Sequence, residues 1–167
     1  MSFRYTRAWT GPVEAVIFDW AGTTMDFGCV APTEAFIEVF ARNNVAISVA
    51  EARGPMGMYK RDHIRVLTED PAIAARWQAA HGRPPSDDDV ESMFQAYIPI
   101  QVEILPRFAT MIDGALDTVA SLRERGIKIG STTGYTREMM AVNVPAAAEL
   151  GYRPDVMVCA SDVPAGR

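Results

Sequence analysis

Cysteine is nearly missing from this chain of 167 residues. Cys29 and Cys159 are too few and too far apart for a disulfide framework, and neither belongs to a metal-type C-x-x-C pair, so a reducing cytoplasm is the expected setting. Basic residues are also in deficit. The chain carries 16 Lys and Arg against 21 Asp and Glu, a net charge of −5, which argues against a general nucleic-acid binder. An anionic ligand would therefore need a local site. No apolar stretch approaches the roughly 20 residues of a membrane-spanning helix. The first residues mix Arg4, Tyr5, Arg7 and Trp9 without the apolar core of a signal peptide, so no membrane partner is expected. What is present is ordinary: 49% hydrophobic and 22% charged residues, which exclude a disordered or low-complexity chain and allow one to two domains.

Val13 to Phe18 is a short, mostly apolar run that stops at Asp19, and it predicts a parallel-sheet strand buried on both faces. Similar strands are expected at Ile127–Thr132 and Asp155–Cys159. The first of these follows a helix carrying Leu116, Val119, Ala120 and Leu122 and ending at Gly126; the second follows a helix that begins near Thr136. Strand, helix, strand, helix, strand predicts right-handed parallel α/β units, a Rossmann-like core. Residues 27–106 read differently, as helices without a convincing strand. Pro32 suits a first turn before Phe36, Val39 and Phe40. Ser48 with Glu51 has capping-box spacing, with Gly54-Pro55 as the stop. Asp70-Pro71 starts a helix running to Gly82, and Ser86 with Asp89 starts another lined by Val90, Met93, Phe94, Tyr97 and Ile98. The expected organisation is an α/β core from residues 1–26 and 107–167, with residues 27–106 inserted as a helical cap. The run Asp87-Asp88-Asp89 reads as a solvated helix start.

Ligands of open α/β sheets bind beyond the carboxyl ends of the strands, and here those ends offer Asp19, Ser131-Thr132-Thr133-Gly134 and Ser161-Asp162. The small-residue turn Trp20-Ala21-Gly22-Thr23-Thr24 could cradle an anion on its backbone N–H groups. Residue by residue a plainer reading stays open: Asp19 caps the next turn, and Thr132 and Thr133 satisfy local backbone. Their joint placement favours a site. Lys60 and His63, three apart, would face one side of a helix as an amine–base pair, or else lie at the surface.

Phe18-Asp19-Trp20-Ala21-Gly22-Thr23 resembles the first motif of the haloacid dehalogenase superfamily, and Ile127 to Gly134 resembles its second. The resemblance implies that Asp19 is a nucleophile forming an aspartyl phosphate and that Thr133 or Gly134 contacts the phosphoryl group. Phosphatases of that superfamily carry a general-acid Asp two positions after the nucleophile, where this chain has Ala21. No proton can come from that side chain, so either another group supplies it or the leaving group is not an alkoxide; a carbon leaving group with a lysine imine as electron sink would be such a case. With Gly28-Cys29, Pro55-Met56-Gly57, Lys60, His63, Tyr135 and the stretch Asp162 to Arg167, the pattern is similar to the phosphonatase family.

That resemblance implies hydrolysis of the carbon–phosphorus bond of phosphonoacetaldehyde to acetaldehyde and phosphate, in breakdown of 2-aminoethylphosphonate. Lys60 would form the Schiff base, Asp19 would attack phosphorus and His63 would shuttle protons. Cys29, Met56 and Tyr135 would line the interface, and Arg167 would balance the phosphonate charge. Magnesium would bind the Asp19 carboxylate and the Ala21 carbonyl, and two copies would pair through the cap. Burial is expected to depress the pKa of Lys60, which must be neutral to attack a carbonyl. Plainer fates remain for the lining residues: Cys29 and Met56 as core filling, Tyr135 as packing, Arg167 as a frayed end. Members of the superfamily continue past the position of Arg167 with another strand and an acidic magnesium-binding motif, so an incomplete core with exposed strand edges and apolar surface is expected. A dehalogenase-like hydrolase with an Asp nucleophile, and an inactive fragment, are the competing readings.

Overall fold

The computed structural model describes residues 11–164. Three parallel strands, β1 (Ala15–Asp19), β2 (Lys128–Thr133) and β3 (Val156–Cys159), form one sheet in the order β1-β2-β3. Between β1 and β2 the chain forms α1 (Val30–Arg42), α2 (Val49–Arg53), α3 (Lys60–Glu69), α4 (Pro71–His81), α5 (Asp87–Ile104), a 3-10 turn (Leu105–Phe108) and α6 (Ala115–Glu124). Helix α7 (Arg137–Glu149) joins β2 to β3, and a second 3-10 turn (Ala160–Asp162) follows. The alternation of strands and helices is the expected α/β pattern.

The helix starts follow the capping chemistry in the sequence. The Ser48 and Glu51 side chains and backbones form a reciprocal capping box at α2, and Ser86 with Asp89 does so at α5. Asp70 accepts from the amides of Ala72 and Ile73 at the start of α4, where Pro71 leaves no N–H to satisfy. The acidic start of α5 is more than solvated: Asp89 takes both ends of the Arg83 guanidinium and Asp87 pairs with Arg65. The apolar stripe of α5, Val90, Met93, Phe94 and Tyr97, is buried against α1 and α3, with Phe36, Phe40, Ile64 and Leu67 opposite.

The strands are not covered on both faces as the sequence suggests. Register pairs Ile17 with Gly130 and Gly130 with Val156, so these three share one sheet face, and Val158 follows two residues on. Ile17 is 61% exposed, Val156 63% and Val158 37%. The opposite face, through Ile129, Ser131, Thr133 and Cys159, is closed. Helices of the described residues pack mainly against that second face, which leaves the alternate apolar side chains in water. This matches the expectation of exposed apolar surface.

Two chain crossings connect the sheet to the helical insertion, and they are hydrogen-bonded to each other. The amide of Ile112 donates to the carbonyl of Thr24, and that of Asp26 donates to Thr110, with Met25 bridged to Met111. Entry and exit are thus held side by side beneath the carboxyl end of β1.

Candidate active site

Asp19 is the last residue of β1, level with Thr132 of β2. The chain then turns sharply: the amides of Thr23, Thr24 and Met25 all donate to the carbonyl of Trp20, at 3.2, 2.9 and 3.1 Å. The amide of Trp20 donates to Asp19 Oδ1 at 2.7 Å, fixing the carboxylate at the mouth of the turn. Gly22 has φ +80°, and a Cβ there would meet Cys29 Sγ at 2.5 Å. The glycine is what allows the start of the insertion to approach the turn after Asp19.

Cys29 lies just before α1 with φ 52°, a left-handed conformation. Asp26, also left-handed, supports it: the Asp26 carboxylate accepts from the amides of Val30 and Ala31, at 3.0 and 3.1 Å, and its carbonyl from that of Cys29. Burial is the main influence raising the Asp26 pKa. Burial first, then the Asp26 charge, likewise raise the Cys29 thiol, so this cysteine is a protonated wall rather than a nucleophile. Arg53, at the end of α2, donates to the carbonyl of Gly28 and pins the same linker.

Lys60 opens α3, and it is 3% exposed. The chain has two lysines, Lys60 and the exposed Lys128, so the buried amine is a deliberate exception to where lysines sit. Its Nζ lies 5.3 Å from the centroid of the Tyr135 ring and 5.5 Å from that of Phe36. On the core side, the amide of Tyr135 donates to Thr133 Oγ1 at 3.1 Å, ordering the loop after β2. A Cβ on Gly134 would lie 3.3 Å from the carbonyl oxygen of Met58 and 3.6 Å from that of Gly57, so this glycine lets the two loops meet backbone to backbone.

One cavity of about 160 Å³ results. Asp19, Ala21, Thr133, Gly134 and Tyr135 come to it from the core side, and Cys29, Met56 and Lys60 from the helical insertion, together with Pro32 and Gly57. At about 30 Å³ per liquid water it has room for roughly five waters, the scale of a ligand with few heavy atoms. Roomier depressions of about 350 and 380 Å³ lie on the helical insertion, but neither includes Asp19 or Lys60.

The expected site is thus assembled except for two residues. Arg167 lies outside the described residues. His63 is on the same buried face of α3 as Lys60, as its spacing predicts, yet it is not on the cavity wall. Its ring is fully buried and stacked on Phe36 at 3.8 Å between centroids, with Nε2 3.0 Å from the carbonyl of Ala52. Burial, then the charge of Lys60, lower its pKa to about 3, so His63 is neutral near pH 7. The third strand end is closed as well: Asp162 accepts from the amide of Cys159 and from Arg137. Phe36, Asp26 and Pro32 are the contributors that sequence reasoning missed. An aromatic at core spacing and a cap four residues before its helix amide carry no distinctive signal.

An Asp nucleophile candidate at the end of the first strand, a hydroxyl-bearing second strand end and a helical insertion over both are features of one class of enzyme. The chain belongs to the haloacid dehalogenase-like hydrolase family, whose model matches residues 13–167. Within that class it is 55% identical over 155 residues to phosphonoacetaldehyde hydrolases of Bacillus cereus and Bacillus thuringiensis, an alignment covering 93% of this chain and 59% of theirs. The crystal structure of a phosphonoacetaldehyde hydrolase-like protein from Oleispira antarctica superposes with a TM-score of 0.93 at 40% identity, covering all of this chain and 60% of that one. A hydrolase from Pseudomonas syringae, TM-score 0.73 at 17% identity, shares the fold. The chain therefore spans about three fifths of the length of the relatives it matches.

Proposed function

We propose that this chain carries the nucleophile and the imine-forming lysine of a phosphonoacetaldehyde hydrolase. The observation supporting the reading most directly is that Asp19 and Lys60, from segments 41 positions apart in sequence, line the same small cavity. Ala21 adds to it, because the position offers no acid for an oxygen leaving group.

The chemistry then runs as follows. The Lys60 amine attacks the aldehyde carbon, a proton is taken up from solvent, water leaves, and a cationic iminium forms. An Asp19 carboxylate oxygen attacks phosphorus as the P–C bond breaks. The bonding pair moves into the iminium, giving a neutral enamine on Lys60 and a phosphoryl group on Asp19. Water hydrolyses the aspartyl phosphate; the enamine takes a proton at carbon, and hydrolysis of the resulting iminium releases acetaldehyde and restores the amine. Thr133 and Gly134 border the space for the phosphoryl oxygens, Met56 and Cys29 keep water from the imine, and Arg167 would add positive charge. The placement of His63 behind Phe36 suits holding Lys60 better than touching substrate.

Magnesium fits the oxygen donors available. Asp19 would offer a hard carboxylate oxygen and Ala21, which lines the same cavity, its backbone carbonyl, while the described residues hold no group of three or more His, Cys, Asp or Glu able to bind a metal, so further ligands would be water or phosphonate oxygens. When bound there, the ion would neutralise charge on the carboxylate and the phosphonate. Pairing of two copies through the helical insertion and a cytoplasmic setting belong to the same reading. Among the described residues no helix is long and apolar enough to cross a membrane, and Cys29 and Cys159 are both free thiols.

Borohydride trapping tests the reading. With phosphonoacetaldehyde, the wild-type chain should gain a reduced adduct on Lys60 well in excess of that on the exposed Lys128, and the Lys60→Arg variant should keep only the Lys128 background. Equal labelling of the two would refute the Schiff-base role. Ala21 also suits a dehalogenase-like hydrolase, which needs no lysine; halide release from a 2-haloacid without any Lys60 adduct is the result that would favour it.

A further inference from the structure

We infer that the Phe36 ring is a positioning residue for Lys60, holding its nitrogen in the cationic iminium form against the face of Tyr135. The inference rests on the Schiff-base reading and extends it to a residue of α1 that does not line the cavity.

Three contacts support it. Lys60 Nζ lies within about 6 Å of two ring centroids, Phe36 at 5.5 Å and Tyr135 at 5.3 Å, the range in which a ring quadrupole attracts a cation. Phe36 is fully buried, so water does not screen the attraction. Its orientation is over-determined: His63 stacks on it at 3.8 Å and Tyr97 packs against it at 4.5 Å. The ring cannot turn away without disturbing both neighbours.

The chemistry needs such a device. Imine formation with uptake of a proton turns a neutral amine into a cation on a residue that is 3% exposed, and the cation disappears when the P–C electron pair enters it. A full counter-charge would oppose that second step. A quadrupole offers a weaker, distributed attraction that favours the iminium without trapping it. Other described groups that act on this nitrogen or share its cavity include Asp19 from β1, the protonated thiol of Cys29 from the linker, neutral His63 from α3 and the phenol of Tyr135 from the loop after β2. Of these, Asp19 is committed to phosphorus in the proposed reaction, and the two rings add the distributed attraction that the iminium step calls for.

The test uses the full 167-residue chain with phosphonoacetaldehyde and cyanoborohydride, which reduces iminium but not aldehyde. Adducts at Lys60 and at the exposed Lys128 are separated by peptide mapping, so Lys128 serves as an internal reference. Phenylalanine at position 36 is replaced by mono-, di- and trifluorinated phenylalanine, which drain the ring face at nearly constant shape. Adduct yield on Lys60 should fall stepwise, by about three- to tenfold at the last step, with the unfolding temperature unchanged and Lys128 unaffected. Phe36→Leu should fall as far, and Phe36→Tyr should recover most of the yield. A flat fluorination series in a chain that labels Lys60 normally would overturn the role of Phe36 alone. No Lys60 adduct in the wild-type chain would overturn the Schiff-base reading, and the role of Phe36 with it.

Discussion

The contact between Gly22 and Cys29 is the sharpest physical constraint at the site, and Gly22→Ala probes it. Two separate penalties are expected. An L-residue at φ +80° carries left-handed strain of about 1 kcal/mol. The new Cβ would also sit 2.5 Å from Cys29 Sγ, well inside ordinary contact, and displacing this half-buried side chain, whose backbone is itself left-handed, costs about 1–3 kcal/mol. The sum is about 2–4 kcal/mol. Cys29→Ala removes the obstructing sulfur but not the backbone strain, so the double variant should regain the steric part. The assay is a double-mutant cycle in urea, with all four chains compared at constant m-value. A coupling of about 1–2 kcal/mol is expected. Coupling below about 0.5 kcal/mol, the usual limit of additivity for independent sites, would refute the claim that the glycine exists to admit the cysteine.

His63 predicts an acid-sensitive fold. Its pKa falls from 6.5 unfolded to about 3 folded, so its contribution is complete above about pH 6.5 and is lost as pH drops towards 3; unfolding at pH 8 and pH 5 should differ by about 2 kcal/mol from this residue, and His63→Gln should remove that difference. Ser48→Ala removes the hydroxyl half of the α2 capping box, leaving the Ser48 amide on Glu51, and should lower stability by about 1 kcal/mol, a thermal shift of about 2–4 °C; no shift would mean that α2 is held by the remaining half, Arg76 and packing. The raised Cys29 thiol should alkylate with iodoacetamide more slowly at pH 8 than a free cysteine does, and a rate equal to that of the free amino acid would contradict its assignment as a wall.

What the sequence made legible was local and polar. Ser48, Asp70, Ser86 and Thr136 start helices where their side chains accept from amides two or three residues on, a relation written in adjacent letters. Asp26 does the same work for α1, but it reaches amides four and five positions ahead across two left-handed residues, and no spacing rule announces that. Strand burial failed for a different reason. Val13 to Phe18 is apolar on both alternations, so the letters say that either face tolerates burial, while which face is covered depends on where the helices lie. Asp162 looked available at a strand end because the sequence does not show Arg137 and the Cys159 amide converging on it.

The site itself divides along the same line. Asp19, Ala21 and Lys60 were singled out because the motifs around them resemble those of a known family; by spacing alone Lys60 reads as readily as a surface lysine. Phe36 was not, because a phenylalanine four residues before Phe40 is what a buried helix face requires in any case. Its proposed second employment exists only in three dimensions: His63 stacked on its ring, Tyr97 packed beside it, and the buried Lys60 nitrogen within about 6 Å of its centre. A core residue of this kind answers to two constraints, volume and ring electronics, and substitutions that keep volume while changing electronics separate them. Leucine alone at position 36 would confound the two, whereas graded fluorination alters the electronics and leaves the packing of α1 on α5 in place.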